Sequence, residues 1–314
     1  MVTVIHLSDL HIHTSSTNPD NLNACVLVNY LCERFHGAPK SKTYVVLTGD
    51  SVDDGTAAQY SRLRANVLSP LSEQFTLLMA PGNHDYAFAG FLFDEEGPKR
   101  FRDCVRPFVA SARFPCVTAN REEKVLFIGL DSADPSEQQF IAEGIVTKQQ
   151  REQLARQLAD PQYEGYFKVV YLHHHPFLRS IGMALRESEQ LLRVMSGNVD
   201  LVLFGHKHRS EAFFGRYRIP LMLASGKVTE PNGNALTFRV VCIEPGRHPI
   251  VHTEEIPAAS ATGTLSPQSV MNLRSPGDHE NVCAPRVLRN PTTKTQRHKV
   301  RTTRGRRRLR AFVP

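Results

Sequence analysis

Residues 44–53 read YVVLTGDSVD, a run of large and β-branched apolar residues that ends in a glycine and two aspartates. The length and branching of this run predict a buried β-strand. A strand of this kind delivers the carboxylates that follow it to the carboxyl edge of a sheet, where open α/β folds bind their ligands. We therefore expect Asp50 and Asp53 at a functional edge of the fold.

Four further segments of the chain repeat this arrangement. Apolar runs at residues 2–7, 75–80, 168–172 and 201–204 are each followed by a short segment rich in metal-binding side chains. These segments are Asp9-Leu10-His11, Gly82-Asn83-His84-Asp85, His173-His174-His175-Pro176 and Gly205-His206-Lys207-His208. Five strand ends that bring Asp, His and Asn to one edge predict a metal cluster. A metal cluster in turn favours a hydrolytic enzyme.

Strand, loop and helix patterns alternate through residues 1–255, which we interpret as one α/β domain. Apolar spacing predicts helices at 23–35, 56–67, 101–112, 147–158 and 187–195, with Thr147 as an N-cap and Pro107 breaking the third. Late strands are expected at 218–224, 235–242 and 249–253. Parallel units followed by antiparallel strands predict two mixed β-sheets packed as a sandwich flanked by helices.

The charge of the chain is unevenly distributed. Residues 256–314 contain twelve Lys or Arg and two acids, a net charge of +10, whereas the whole chain carries +7 and residues 1–255 therefore −3. This segment is rich in Ser, Thr, Pro and Arg, a composition that predicts a disordered tail. Its charge would attract polyanions or an anionic membrane surface, although it lacks the interleaved aromatic residues that favour single-strand stacking.

Several classes of protein are disfavoured by the composition. The six cysteines show no CxxC spacing, so a disulfide framework is not expected in a chain of this length. No apolar stretch approaches the roughly 20 residues of a membrane-spanning helix. The first residues lack the basic and apolar regions of a signal peptide, so we expect a cytoplasmic protein.

The five motifs, taken together and in order, carry a family resemblance. Asp-x-His, Gly-Asp-x-x-Asp, Gly-Asn-His-Asp, His-His-Pro and Gly-His-x-His resemble the calcineurin-like metallophosphoesterase superfamily, over residues 1 to about 250. Within it, the chain is similar to bacterial phosphodiesterases of the cyclic-AMP and glycerophosphodiester type. Leu130-Asp131-Ser132, Gly144, Gln150 and Leu154 also match that subgroup. The resemblance implies a sandwich of two sheets between helical layers.

The resemblance also implies a ligand set for two metal ions. Asp50 would bridge them; Asp9, His11 and His208 would complete the first site, and Asn83, His174 and His206 the second. His174 is chosen from the histidine triplet because it lies two residues before the proline, with His173 then pointing the other way and His175 at the pocket rim. Mixed nitrogen and oxygen ligands suit Mn, Fe, Zn or Co without choosing among them.

The resemblance assigns catalytic roles to the two residues after Asn83. His84 would face the substrate and stabilise or protonate the leaving oxygen, while a hydroxide bridging the metals attacks phosphorus. Asp85 would orient the His84 ring. Asp53 is expected either to support the metal ligands or, with Asp54, to cap the next helix.

Hydrolysis of a phosphodiester, either a cyclic nucleotide or a glycerophosphodiester, is the function that this pattern favours. The alternatives are a phosphomonoesterase, a pyrophosphatase acting on a nucleotide-activated lipid, a nuclease, and a scaffold that binds no metal. Substrate choice is expected to lie in the loops at 86–98, 134–144 and 177–186. Pairing into a homodimer is a further expectation, because related small phosphodiesterases often pair.

Overall fold

Two large β-sheets form the centre of the computed structural model, which describes residues 1–134, 142–178, 180 and 182–259. In pairing order, the first sheet contains β15 (Ile250–Pro257), β14 (Ala235–Ile243), β1 (Val2–Leu7), β2 (Thr43–Thr48) and β3 (Thr76–Ala80). The second contains β12 (Glu211–Phe214), β13 (Leu221–Ala224), β11 (Leu201–Phe204), β9 (Phe167–Tyr171), β7 (Val125–Gly129) and β6 (Cys116–Asn120). The predicted pair of mixed sheets is confirmed.

Both sheets have a parallel centre and antiparallel edges. In the first, β1, β2 and β3 run parallel, and β14 and β15 are added antiparallel. In the second, β7, β9, β11 and β13 run parallel between the antiparallel strands β6 and β12. Two short pairs lie outside the sheets: β4 (Ala87–Phe88) with β5 (Leu92–Phe93), and β8 (Gly144–Ile145) with β10 (Leu185–Arg186).

Helices connect the strands and cover the outer faces. They are α1 (Pro19–Arg34), α2 (Ala57–Leu63), α3 (Ser69–Gln74), α4 (Asn83–Tyr86), α5 (Gly97–Val105), α6 (Lys148–Ala159) and α7 (Ser188–Met195). A π-helical turn at Arg64–Leu68 joins α2 to α3, and 3₁₀ turns occupy Lys40–Lys42, Pro161–Tyr163 and Arg216–Arg218.

Local sequence accounts for several helix ends. Thr147 accepts a hydrogen bond from the Gln150 N–H, which confirms it as the N-cap of α6. The third predicted helix starts earlier than expected and ends at Val105, before Pro107 can remove a helical donor. Thr56, rather than Asp53 or Asp54, caps α2 by accepting from the Gln59 N–H.

The core is divided by the two sheets. Between them, buried side chains from β1 and β2, such as Val4 and Val46, pack with Phe127, Val169 and Leu203 of the second sheet. Two further apolar clusters fill the space between each sheet and its helices. Each large apolar side chain buried in this way contributes on the order of 1.5–3 kcal/mol. The layered core therefore fixes the strand ends that carry the polar motifs.

The folded domain extends slightly beyond the predicted boundary at residue 255. Strand β15 runs to Pro257, and Ala258 is fully buried. The boundary was placed too early because the Ser- and Thr-rich composition begins immediately afterwards. The basic tail, apart from its first few residues, lies outside the described residues. Within the described part of the chain, no helix is both long and apolar enough to cross a membrane.

Candidate metal centre

Backbone hydrogen bonds hold the polar segments side by side at the carboxyl edge of the sheets. The N–H of Asp9 donates to the Gly49 carbonyl at 3.0 Å, and that of His11 donates to the Asp50 carbonyl at 3.0 Å. In the second sheet, the N–H of Gly205 donates to the carbonyl of His173 at 2.9 Å. The strand ends thus meet at one edge, as the positions of the motifs predict.

Asp9, His11 and His208 form the first group of possible ligands. The Nε2 atoms of His11 and His208 lie 3.2 Å apart, and Nε2 of His208 lies 3.4 Å from a carboxylate oxygen of Asp9. Nδ1 of His11 is 3.1 Å from the Asp53 carboxylate, so it carries the ring proton and leaves Nε2 as a free acceptor. Asp53 therefore orients the ring of a predicted ligand, His11, which agrees with one of the two roles expected for it.

Asp50, Asn83, His173 and His206 form the second group. Nε2 of His173 lies 3.2 Å from Oδ2 of Asp50, from Oδ1 of Asn83 and from Nδ1 of His206. The other nitrogen of each ring faces a backbone carbonyl: His173 Nδ1 is 2.8 Å from the oxygen of Thr48, and His206 Nε2 is 3.1 Å from that of Met183. Both ring protons are therefore assigned to the carbonyl side.

The four side-chain atoms that meet in this second group are all hydrogen-bond acceptors in these tautomers, so none of them can donate to another. With those tautomers, two imidazole nitrogens and two oxygens point at one another across about 3.2 Å with no proton among them. A proton on Nε2 of His173 would also relieve this excess of acceptors: burial lowers the pKa of His173, but the Asp50 carboxylate outweighs this effect and raises that pKa to about 9. Positive charge is thus favoured at this point of the buried cluster. A bound cation satisfies all four acceptors, so the residues fit a metal ion.

Asp50 lies between the two groups. Its Oδ2 is 3.2 Å from His173 Nε2 and 3.9 Å from His11 Nε2, and the residue is 2% exposed. Burial would raise the pKa of this carboxyl, but the surrounding histidines hold it well below its usual range. Its other oxygen accepts the backbone N–H of His84 at 2.9 Å. A carboxylate that is shared by two metal ions requires this central position.

The structure brings His173, and not the predicted His174, into this cluster. Tyr171 packs between the two sheets, Leu172 packs under the helices, and the alternation continues into the triplet. His173 therefore faces Asp50, whereas Nδ1 of His174 lies 2.9 Å from the hydroxyl oxygen of Ser132 and its ring packs against that of His206 with centroids 4.5 Å apart. Counting back from the proline predicted His174, whereas the direction of the side chains along the strand brings His173 to Asp50.

Asp85 does not orient His84, contrary to prediction. Its carboxylate is fully buried and accepts hydrogen bonds from the backbone N–H groups of Ser51, Val52 and Gly82. Burial, with the nearby Asp50, raises the pKa of Asp85 to about 7. Asp85 thus ties the segment after β2 to the segment after β3, and acts on the position of Asp50 and not on the His84 ring.

His84 lies at the edge of the centre and is oriented by backbone. Its Nδ1 lies 2.7 Å from the carbonyl oxygen of Asp53, which assigns the ring proton to that nitrogen. The ring packs edge-on against His11 with centroids 4.5 Å apart, and the side chain is 23% exposed. His84 lies near both groups of possible ligands. Because its ring is partly exposed, solvent can reach it, and so can a substrate.

Backbone strain is concentrated at the centre. Of ten non-glycine residues with positive φ in the described chain, half belong to the predicted ligand set: Asp9, His11, Asp50, His206 and His208. Positive φ is uncommon for residues with a Cβ and clusters at functional sites. Gly49 has a φ of 91°, and a Cβ there would lie 2.6 Å from Nδ1 of His173. The turn after β2 thus needs glycine so that the ring can approach.

Several contacts of the centre leave little trace in the sequence. The carbonyl oxygens of Thr48 and Met183 set the ring tautomers, but any residue type could supply a carbonyl.

His175, expected at the rim, is instead buried against Phe177 and Phe204. Asp131, part of the segment that resembles the phosphodiesterase subgroup, is buried and accepts a hydrogen bond from the Tyr86 hydroxyl at 2.8 Å. Two other histidines without a motif position, His6 and His13, are respectively buried against Thr48 and paired with Asp20.

Comparison with known sequences agrees with this geometry. Residues 2–210 match the sequence model of the calcineurin-like phosphoesterase family. A cAMP/cGMP dual specificity phosphodiesterase from Mycobacterium tuberculosis is 29% identical over 234 residues, 71% of this chain and 66% of the relative. This chain therefore aligns with just under two thirds of that relative. A probable cyclic nucleotide phosphodiesterase from Rhodococcus erythropolis is 25% identical over 71% of this chain and 69% of its own length.

Solved structures share the fold at lower sequence identity. A dimetal phosphatase from Danio rerio is 13% identical, with a TM-score of 0.58 over 82% of this chain and 99% of its own. A purple acid phosphatase from yellow lupin seeds is 14% identical, with a TM-score of 0.53 over 83% of this chain and 52% of its own. At such identities the similarity supports the fold alone.

Proposed function

We propose that this chain, which belongs to the calcineurin-like phosphoesterase family and is a phosphoric ester hydrolase, is a two-metal phosphodiesterase that hydrolyses cyclic nucleotides. The observation that carries the metal dependence is the convergence of four atoms that are all acceptors when both rings are neutral: Nε2 of His173, Oδ2 of Asp50, Oδ1 of Asn83 and Nδ1 of His206. The printed names of the two relatives support the substrate class.

The two groups of side chains divide the metal ligands between them. In the proposal, Asp9, His11 and His208 would hold one ion, Asn83, His173 and His206 would hold the other, and Asp50 would contribute to both sites. The mixed imidazole, carboxylate and amide donors fit Mn, Fe, Zn or Co. Bound metals would lower the pKa of a water molecule to supply a nucleophile, and would neutralise charge on the phosphate oxygens.

The chain itself contributes the placement of a proton donor. His84 keeps its Nδ1 proton on the Asp53 carbonyl, which leaves Nε2 to exchange a proton with a bound substrate. Its backbone N–H is held by Asp50, so the ring and the bridging carboxylate keep a fixed relation. We therefore assign His84 to the stabilisation and protonation of the leaving oxygen. Asp85, through its backbone contacts, positions the loop that carries Asp50.

One experiment tests both the metal dependence of the activity and the class of ester that the protein prefers. The protein is stripped with a chelator, reloaded with Mn, Fe, Zn or Co, and assayed on cyclic AMP, bis(p-nitrophenyl) phosphate and the monoester p-nitrophenyl phosphate. We expect activity on the diesters to vanish with the chelator, to return with metal, and to exceed activity on the monoester. A clear preference for the monoester would instead identify a phosphatase. Full activity in the stripped protein would contradict the metal-dependent mechanism.

Replacing His84 with alanine is expected to lower turnover without loss of metal. The substitution keeps the backbone N–H that Asp50 accepts and removes only the ring. Loss of a proton donor of this kind costs about 100-fold to 10,000-fold in rate. The readouts are kcat on bis(p-nitrophenyl) phosphate and metal content per chain, with the exposed His36→Ala as the control. Unchanged turnover would show that His84 has no such role, and lost metal would show a role in binding the ions instead.

A further inference from the structure

An exposed apolar hairpin lies beside His84. Strands β4 and β5 pair antiparallel across a tight turn, and we call residues 87–93 the apolar hairpin. The hairpin carries four large exposed side chains: Phe88 is 55% exposed, Phe91 51%, Leu92 55% and Phe93 43%. Single exposed apolar residues are common on protein surfaces, but a contiguous group of this size usually marks a binding surface.

The turn of the hairpin is fixed to the metal centre. Nδ2 of Asn83 donates to the carbonyl of Gly90 at 3.1 Å, and the N–H of Ala89 donates to the Asp54 carboxylate at 2.9 Å. Gly90 has a φ of 71°, and a Cβ there would overlap Nε2 of His84. The backbone of the hairpin therefore rests on His84, and the apolar side chains on either side of Gly90 flank any group that reaches that ring.

Another exposed apolar side chain lies on the other side of the centre from the apolar hairpin. Met183 is 38% exposed, and its carbonyl oxygen is 3.1 Å from Nε2 of His206. The polar centre is thus bordered by the apolar hairpin on the His84 side and by Met183 on the His206 side. The organic group attached to a phosphate bound at the centre would therefore contact the apolar hairpin or Met183.

We propose that the apolar hairpin binds the nucleobase of the substrate through the faces of its phenylalanine rings. Three of its four exposed apolar side chains are Phe, and aromatic faces stack on any base. Residues 87–93 carry no charged side chain, so they offer nothing to a second phosphate. The hairpin is followed by Asp94, Glu95 and Glu96, which would repel an anionic membrane surface. This inference rests on the proposed nucleotide substrate and names the residues that recognise it.

The absence of tryptophan from the chain allows a direct binding test. Phe91→Trp creates a single fluorophore on the hairpin, and Ile250→Trp creates one at the opposite end of the first sheet, where Ile250 pairs with Cys242. The metal-loaded variants, excited at a wavelength that adenine does not absorb, are titrated with AMP and with ribose 5-phosphate. These ligands differ only in the base. We expect AMP alone to quench the hairpin tryptophan, and neither ligand to quench the control.

Kinetics provide the second measurement. Phe88→Ala combined with Phe91→Ala should raise KM for cyclic AMP by about 5- to 150-fold, the range expected for one lost base stack. The effect on glycerophosphoglycerol, a diester with neither a base nor a cationic group, should be less than about twofold, because it offers nothing that binds an aromatic face. When Phe88→Ala is combined with Phe91→Tyr in place of Phe91→Ala, part of the loss should be recovered. Phe91→Leu in the same combination should recover none. Equal losses on both diesters, or rescue by leucine, would overturn base stacking.

The outcomes separate this inference from the proposed function. Hydrolysis of cyclic AMP by the wild type without quenching by AMP would overturn the role of the hairpin and leave the phosphodiesterase intact. Quenching by AMP alone, in an enzyme that hydrolyses glycerophosphoglycerol but not cyclic AMP, would overturn the proposed substrate and retain the base-binding hairpin. Equal quenching by AMP and ribose 5-phosphate would show that the hairpin fluorophore senses the phosphate and would also overturn the inference.

Discussion

Replacing Asp50 with asparagine is expected to remove bound metal and phosphodiesterase activity together. The Asp50 carboxylate lies 3.2 Å from His173 Nε2 and 3.9 Å from His11 Nε2, so both proposed ions depend on its charge. Asparagine keeps the size of the side chain and can still accept the N–H of His84, but it lacks the negative charge. Because changes to residues that only support a ligand cost roughly 10- to 100-fold, the loss here should exceed about 100-fold.

The measurement combines a metal count per chain with kcat/KM on bis(p-nitrophenyl) phosphate. Asp103→Asn, on the exposed side of α5, is the matched control because it makes the same chemical change at an exposed position outside the proposed ligand set. We expect the control to keep both metal and activity, and both variants to keep the circular dichroism of the wild type. An Asp50→Asn protein that retains two metals per chain and full activity would contradict the bridging position.

Residue types and their order were sufficient to locate the centre, because each motif follows a strand and parallel strands end at one sheet edge. Asp9, His11, Asp50, Asn83, His206 and His208 all meet there, although the motifs lie up to about 200 residues apart along the chain. Apolar pattern and strand order similarly predicted the two sheets. These features depend on local pattern and on a topology that a few motifs constrain.

Finer features depend on contacts that the sequence does not specify. Asp85 follows His84 directly, so a contact between them was a natural expectation, yet the carboxylate turns inward to three backbone N–H groups. No residue pattern marks backbone donors, since every residue except proline has one. The exposure of the phenylalanines in the apolar hairpin was equally impossible to predict from the sequence. Alternation in YAFAGFLFD does not distinguish a core strand from a hairpin that stands in solvent.

The histidine triplet allows the sharpest test of what the fold adds to the motif. Asparagine substitutions at His173 and His174 make the same chemical change at adjacent positions, of which His173 is the one whose Nε2 lies 3.2 Å from Asp50. We expect His173→Asn to lower the metal content from two ions to one and to cut activity by more than about 100-fold. The reason is that His173 Nε2 is the acceptor nearest to Asp50, Asn83 and His206.

His174→Asn should keep both metals and lose less than about tenfold in activity, below the loss expected for a residue that supports a ligand. Nδ1 of His174 lies 2.9 Å from the Ser132 hydroxyl oxygen, a contact that the asparagine amide can reproduce, and its ring packs against Gly144 and, with centroids 4.5 Å apart, against the ring of His206. Metal content per chain is the decisive readout, and thermal unfolding reports any general loss of stability from a change at a buried position. If His174→Asn lost an ion while His173→Asn kept both, side-chain alternation along β9 would not extend into the triplet, and the ligand would be the histidine two residues before the proline.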